Sequence, residues 1–339
     1  MTQSSPDTAS VIERTRRCNA DAAIVAVHFL GASAVFVLGE EALLLVRDGE
    51  RQRVAVHGGA ILASAADRER VVTGGDDGKV VATDAAGAST TVAADARHRW
   101  IDHVAIGRGG AVAWSAGRQA FVRSAASASL QPPEQMFEAP STVGALAFAP
   151  KGFRLAIAHY NGALLWFPNA QAAPERLEWK GSHLAATFSP DGRFLVTAMQ
   201  EPTLHGWRIV DGKHMRMSGY AAKVRSMDWS VGGRWLATSG SDQLILWPFQ
   251  AKDGPMGKAP QLLAPAGQKV ATVACHPKQD VVAVGYEDGL LLLVRIEDGA
   301  EIIGKRPGAA AVSAIAWNST GSKLAFGCED GEAGVIDLA

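Results

Sequence analysis

The sequence predicts an all-β fold, a single closed ring of four-stranded antiparallel sheets. Three observations predict it: a phrase that recurs eight times, its even spacing, and the turn chemistry inside it. Each copy reads as an apolar strand, a turn of Pro, Gly or Asp, a second strand, an acidic tight turn and a third strand. Successive copies start roughly 40 residues apart, the repeat length of a four-stranded propeller blade. Helix-pair solenoids share that period. The segments here, however, alternate Val, Ile, Leu or Trp with small or polar residues and are punctuated by Asp-Gly, a hairpin signal, and show no 3.6-residue period.

Taken in order, residues 1–9 read as a flexible tail and residues 10–339 as one β-propeller without an internal linker. Arg14, Arg16 and Arg17 precede the apolar run Ala22 to Leu38, which superficially resembles a signal or anchor helix. Gly31-Ala32-Ser33 interrupts that run and Glu40-Glu41 ends it, so it reads as two strands and a turn. Weak copies start at Ile24, Ile61 and Ile101. Clear ones start at Val143, at Leu184 (LAATFSPDGRFLVTAMQEPTLHGWRI), at Val224 (VRSMDWSVGGRWLATSGSDQLILWPF), at Val270 and at Val312.

A fourth strand is expected after seven of the copies, over 53–56, 90–93, 135–138, 175–179, 214–217, 261–263 and 301–303. The eighth copy has none, and an unpaired edge there would template aggregation. The stretch Ser10 to Thr15 is expected to supply the missing strand and complete the last blade. Eight blades are favoured; seven, with the first or third copy outside the ring, is the alternative.

At these residues the chain resembles the WD40-repeat family. Phe188-Ser189-Pro190-Asp191-Gly192 is similar to that family's first turn, Ser239-Gly240-Ser241-Asp242 to its second, and Trp166, Trp207 and Trp247 to its strand-end tryptophan. The resemblance implies a His, Ser/Thr, Asp and Trp hydrogen-bond network within each blade. His57, Thr73 and Asp77 take its first three places in the second copy, with Thr83 in place of tryptophan. Ser239, Asp242 and Trp247 take places in the sixth, with Tyr220 where histidine is expected. Val294 and Ile336 replace the tryptophan in the last two copies.

The 33 basic and 34 acidic residues nearly cancel and form no block of like charge, so neither nucleic acid nor a membrane is an expected partner. Cys18, Cys275 and Cys328 make no framework, which suits a reducing, cytoplasmic setting. The nine histidines have no metal-ligand spacing, and neither a metal nor another cofactor is expected. Cys275 and Cys328 read as core residues, and His276, adjacent to Cys275, points to the opposite face of its strand. Trp100 and Trp179 fall outside the repeated core positions and read as exposed anchors.

The resemblance also implies a binding rim where loops enter the first strands. Trp100, Asp102, Thr142, His183, Lys223, Arg225 and Lys269 occupy it here, a set suited to a peptide or an acidic protein surface. No GxSxG elbow or phosphate loop is present, so no catalytic residue is assigned. The expected function is that of a non-catalytic scaffold that docks another protein on its rim and central opening, with a monomer favoured. A propeller enzyme, or a small-ligand or metal-binding protein, is the alternative; Val210-Asp211-Gly212-Lys213 and Glu297-Asp298-Gly299-Ala300 faintly resemble the docking turn of quinone-cofactor dehydrogenases, without the tryptophan that follows it there.

Overall fold

The two strands behind the inner strand of each repeat are largely buried. Ser33–Leu38 (SAVFVL) is buried at every position, as are Phe194–Met199 and Leu204–Arg208. A strand covered on both faces has no wet side, so these middle strands are buried along their length rather than on alternate residues. The fourth strands lie at the outside: Glu50–Ala55 and Ser89–Ala94 are largely exposed. This gradient, from apolar middle to polar outer strand, stacks the sheets face to face around an axis. The computed structural model describes residues 9–124 and 134–339, and all but the last residue of the expected 1–9 tail lies outside them.

Every strand pairing between named strands is antiparallel, and the described residues contain no α-helix. The inner strands Ile24–Leu30, Ile61–Ala66, His103–Ile106, Ala145–Phe148, the second half of Glu175–Phe188, Met227–Trp229, Val270–Cys275 and Val312–Trp317 follow one another in chain order. The last of them meets the first, so the ring is closed. The core lies between neighbouring sheets. Ala237, Leu244 and Leu246 of the sixth copy share one cluster with Val273, Val282 and Val284 of the seventh, and Val27 and Phe36 of the first copy share another with Ala314 and Ala325 of the eighth.

Among the described residues the hydrogen-bonded sheets number seven, which corrects the favoured count of eight. Six have four strands and one has six. The merger arises at the shortest link between two copies. Glu175–Phe188 runs from the outer edge of the fourth copy into the inner strand of the fifth, and its halves pair with Leu155–Trp166 and with Phe194–Met199. Gly181 makes this passage with φ +121°, a backbone region that side chains avoid. The alternative route to seven is not the one taken, because the first and third copies each form a four-stranded sheet.

The N-terminal segment closes the ring, with a corrected boundary. Thr15–Asn19, not Ser10 to Thr15, pairs antiparallel with Glu332–Asp337 and becomes the fourth strand of the last sheet. Ser10 instead bridges in parallel to Ile303 at the outer edge of the preceding sheet, with Val11 N–H donating to Ile303 O at 2.9 Å and Ile303 N–H to Ala9 O at 2.8 Å. One short segment therefore ties two adjacent sheets together.

Candidate functional site

Neighbouring inner strands share no continuous backbone ladder, so side chains must tie them. Ser226 Oγ accepts from Val273 N–H at 3.0 Å, and Ser313 Oγ donates to Ile24 O at 2.5 Å. Asp228 accepts from Cys275 N–H at 2.7 Å and from Trp229 N–H at 2.8 Å, and its burial pushes its pKa up to about 6. Trp229 and Trp317 donate their indole N–H groups to Thr187 Oγ1 and Ala274 O on adjacent inner strands. Gly144 approaches the His183 carbonyl so closely that a Cβ there would lie 2.2 Å from its oxygen. The walls of the opening are thereby fixed before any partner arrives.

Five inner strands carry a β-bulge at the same place, one residue after their first buried residue. The register shifts past Val25, Leu62, Leu184, Ala271 and Ser313. A bulge leaves its extra residue unpaired and re-aims its side chain. Val25, Ala271 and Ser313 line a cavity of about 810 Å³ in the opening, where the inner strands of the first, sixth, seventh and eighth copies converge. Leu62 and Leu184 hold the same register position and are 40% and 43% exposed, and Val25 is 50% exposed, high values for aliphatic residues in inner strands.

Three of the expected rim residues, Lys223, Arg225 and Lys269, line this cavity. All are exposed, and none is in an ion pair among the described residues. Glu287, whose N–H donates to Lys269 O at 2.9 Å, and Glu329 also line it. The remaining candidates are not gathered here. Trp100 is 61% exposed, but it sits before the third inner strand on a loop held by the Arg99–Asp95 ion pair. Thr142 is exposed and Asp102 half-buried at other sectors of the ring.

His183 does not belong to the rim. It is buried, with Nδ1 at 2.7 Å from Thr197 Oγ1 and Nε2 at 3.0 Å from Trp179 O, and desolvation lowers its pKa. Trp179, expected as an exposed anchor, stacks on His205 with ring centroids 4.0 Å apart.

The internal network of the second copy is present as read. His57 donates from Nδ1 to Asp77 Oδ1 at 2.9 Å, and its Nε2 lies 2.8 Å from Thr73 Oγ1. In the sixth copy the membership is corrected. Trp247 Nε1–H donates to Tyr220 OH at 2.7 Å; Tyr220 OH meets Thr238 Oγ1 at 2.9 Å, and Thr238 donates to Ile245 O at 3.1 Å. Thr238 rather than Ser239 carries the hydroxyl, since a one-residue slip on a strand reverses the face. Asp242 is exposed and accepts only from Ser241 Oγ at 3.1 Å. Ser239 works at the opening instead, where its Oγ accepts from the N–H groups of Arg225 and Ser226 at 3.1 and 3.0 Å. Tyr220→Phe is expected to cost about 1–3 kcal/mol, because it leaves the buried Trp247 N–H without an acceptor; a melting temperature equal to the parent's would refute that role.

The described residues hold no group of three or more His, Cys, Asp or Glu placed to bind a metal ion. Burial pushes the Cys328 thiol up to about 12 and the Cys275 thiol well above its usual range, which makes both poor nucleophiles. His276 is no base for Cys275. Its Nε2 faces Gly321 O at 3.1 Å and its Nδ1 accepts from Lys278 and Gln279 N–H. No helix among the described residues is long and apolar enough to cross a membrane.

Comparison with known proteins gives partial matches along the chain. A family described as the anaphase-promoting complex subunit 4 WD40 domain matches residues 273–339, and the WD domain, G-beta repeat family matches residues 213–247. Telomerase protein component 1 of Rattus norvegicus is 27% identical over 200 residues, which cover 57% of this chain and 7% of that protein. Its Mus musculus counterpart is 26% identical over the same shares. The chain thus corresponds to a small fraction of those relatives' length. The crystal structure of the computationally designed Ika8 protein superposes with a TM-score of 0.74 at 17% identity, covering 94% of this chain and 97% of that one, a likeness of fold alone.

Proposed function

From the premise that the chain is a WD40-repeat β-propeller, we propose that it is a non-catalytic scaffold that docks another protein in its central opening. The observation that carries this reading is the trio Lys223, Arg225 and Lys269, exposed and without ion-pair partners at the edge of a cavity whose walls are stapled in place. Exposed charges of this kind steer and orient a partner while contributing little to the stability of the fold. A rigid opening binds without an ordering cost on its own side. A cytoplasmic location and a monomeric state belong to the same proposal, and both suit a chain with three free thiols and near-zero net charge.

Affinity purification from the native host, with the partner identified by mass spectrometry, tests the reading. The parent chain is expected to retain a protein that the triple variant K223A/R225A/K269A loses, while both melt at the same temperature. Retention of that protein by the triple variant refutes this opening as the docking site. A purified chain that carries a stoichiometric small cofactor and no protein refutes docking itself.

A further inference from the structure

The charges and bulges of the opening define what fits it more narrowly than the word protein. Lys223 and Arg225 belong to the sixth copy and Lys269 to the entry of the seventh. Glu287, in the turn after the seventh copy's second strand, lies beside Lys269, its N–H donating to Lys269 O at 2.9 Å, and Glu329 holds the corresponding turn of the eighth, so the lining passes from cations at the sixth copy through a mixed seventh to a carboxylate at the eighth. Three cations and two carboxylates leave a net charge of +1 within a chain of net charge −1. The opening is a dipole rather than a basic patch. The bulge positions add an apolar component, because Val25 and Ala271 line the cavity and Leu62 and Leu184 sit in the same register further round the ring.

Resting on the docking reading above, we infer that the occupant is an extended acidic segment of a partner protein that inserts an aliphatic side chain at the bulge ring. Its carboxylates lie against Lys223, Arg225 and Lys269. Glu329, on the eighth copy, repels them from that end of the lining and so fixes the direction of the segment. Like-charge rejection of wrong orientations is how such an arrangement confers specificity. The aliphatic side chain gains from burial against Val25 and Ala271, surfaces that are otherwise wet. A nucleic acid fits less well, since three cations are few for a polyanion and the carboxylates repel phosphates.

Fluorescence anisotropy with labelled peptides DELDE, DEGDE and KRLKR, and with a short single-stranded DNA, tests the occupant on the intact chain. DELDE is expected to bind at least tenfold more tightly than the other three, to weaken at least tenfold with K223A/R225A/K269A, and to weaken severalfold with V25N, which leaves the cations in place. Unchanged melting curves exclude unfolding as the cause. Equal binding of DEGDE or KRLKR, or tighter binding of the DNA, overturns the inference. If no acidic peptide binds while a protein partner is still lost from the triple variant, the occupant class is wrong and the docking reading stands. If neither peptide nor protein binds, both fall.

Discussion

A chain lacking residues 1–19 is expected to melt about 5–10 °C below the intact one and to aggregate on heating. The deletion removes Thr15–Asn19 from its five-residue pairing with Glu332–Asp337, together with the bridge from Ser10 to Ile303. At ~1 kcal/mol per net hydrogen bond the lost ladder is worth roughly 3–5 kcal/mol, and a protein of this size loses a few degrees for each kcal/mol. Cys18 also leaves the cluster that includes Phe36, Leu38 and Ala333. What remains is a bare strand edge on Glu332–Asp337, a template for pairing with other chains. A synthetic peptide of residues 9–20, added in trans, is expected to restore most of the lost melting temperature. A truncated chain that melts and stays soluble like the parent would show that the ring does not depend on this strand.

His205→Phe is expected to stabilise the protein by about 1–2 kcal/mol at pH 7 and by more in acid. His205 is fully buried, stacked on Trp179, edge-on to Trp207 and beside His214, and neither of its ring nitrogens has a hydrogen-bond partner. Replacing such a group by an apolar ring of similar shape removes a desolvation cost without orphaning anything else. Burial first, then the charges of His214, His183 and Arg216, push its pKa down to about 3. A histidine whose folded pKa is depressed holds its neutral form in the fold, so stability is lost as pH falls below the unfolded value near 6.5 and goes on falling until about 3. At pH 4 this histidine alone costs about 3 kcal/mol. Asp228 works in the opposite direction, since its raised pKa of about 6 lets stability be gained as pH falls toward the usual carboxylate range. Denaturant melts of parent and variant at pH 7 and pH 4.5 test the assignment. Equal acid destabilisation of the two would refute it.

The repeats were legible because their punctuation is chemical: Pro190-Asp191-Gly192 and Glu287-Asp288-Gly289 mark turns by backbone conformation, whatever surrounds them. The outer strands were legible because each follows the third strand of a copy at the spacing of the repeat. The number of separate sheets was not, because it depends on whether hydrogen bonding continues across a link. Lys180-Gly181 lets it continue, whereas the longer links from 56 to 60 and from 264 to 269 do not. Period counts copies of a phrase, and a sheet is a different object.

The rim was partly legible. Arg225 follows the buried Val224 of its copy, and the same offset in other copies gives Val25, Leu62 and Leu184, whose apolar character gives no sign of exposure. Only the bulge, a feature of pairing, turns them outward. His183 failed in the reverse sense. It stands where Val224 and Val270 stand in their copies, at the buried first position, and its polarity suggested a surface it does not occupy.

The latch formed by the N-terminal strand also imposes an order on synthesis. Arg17 and its ion-pair partner Glu332 are 315 residues apart in the chain. At a ribosomal rate of about 5–20 residues per second, the first strand waits roughly 15–60 s before its partner exists. Throughout that interval the first and the most recent sheet each have an exposed face, and the ring cannot shut. Final closure is a single long-range event, slow because the entropy of joining distant ends precedes its reward. A nascent chain of this protein is therefore most vulnerable while nearly all of its strands are formed and the circle is still open.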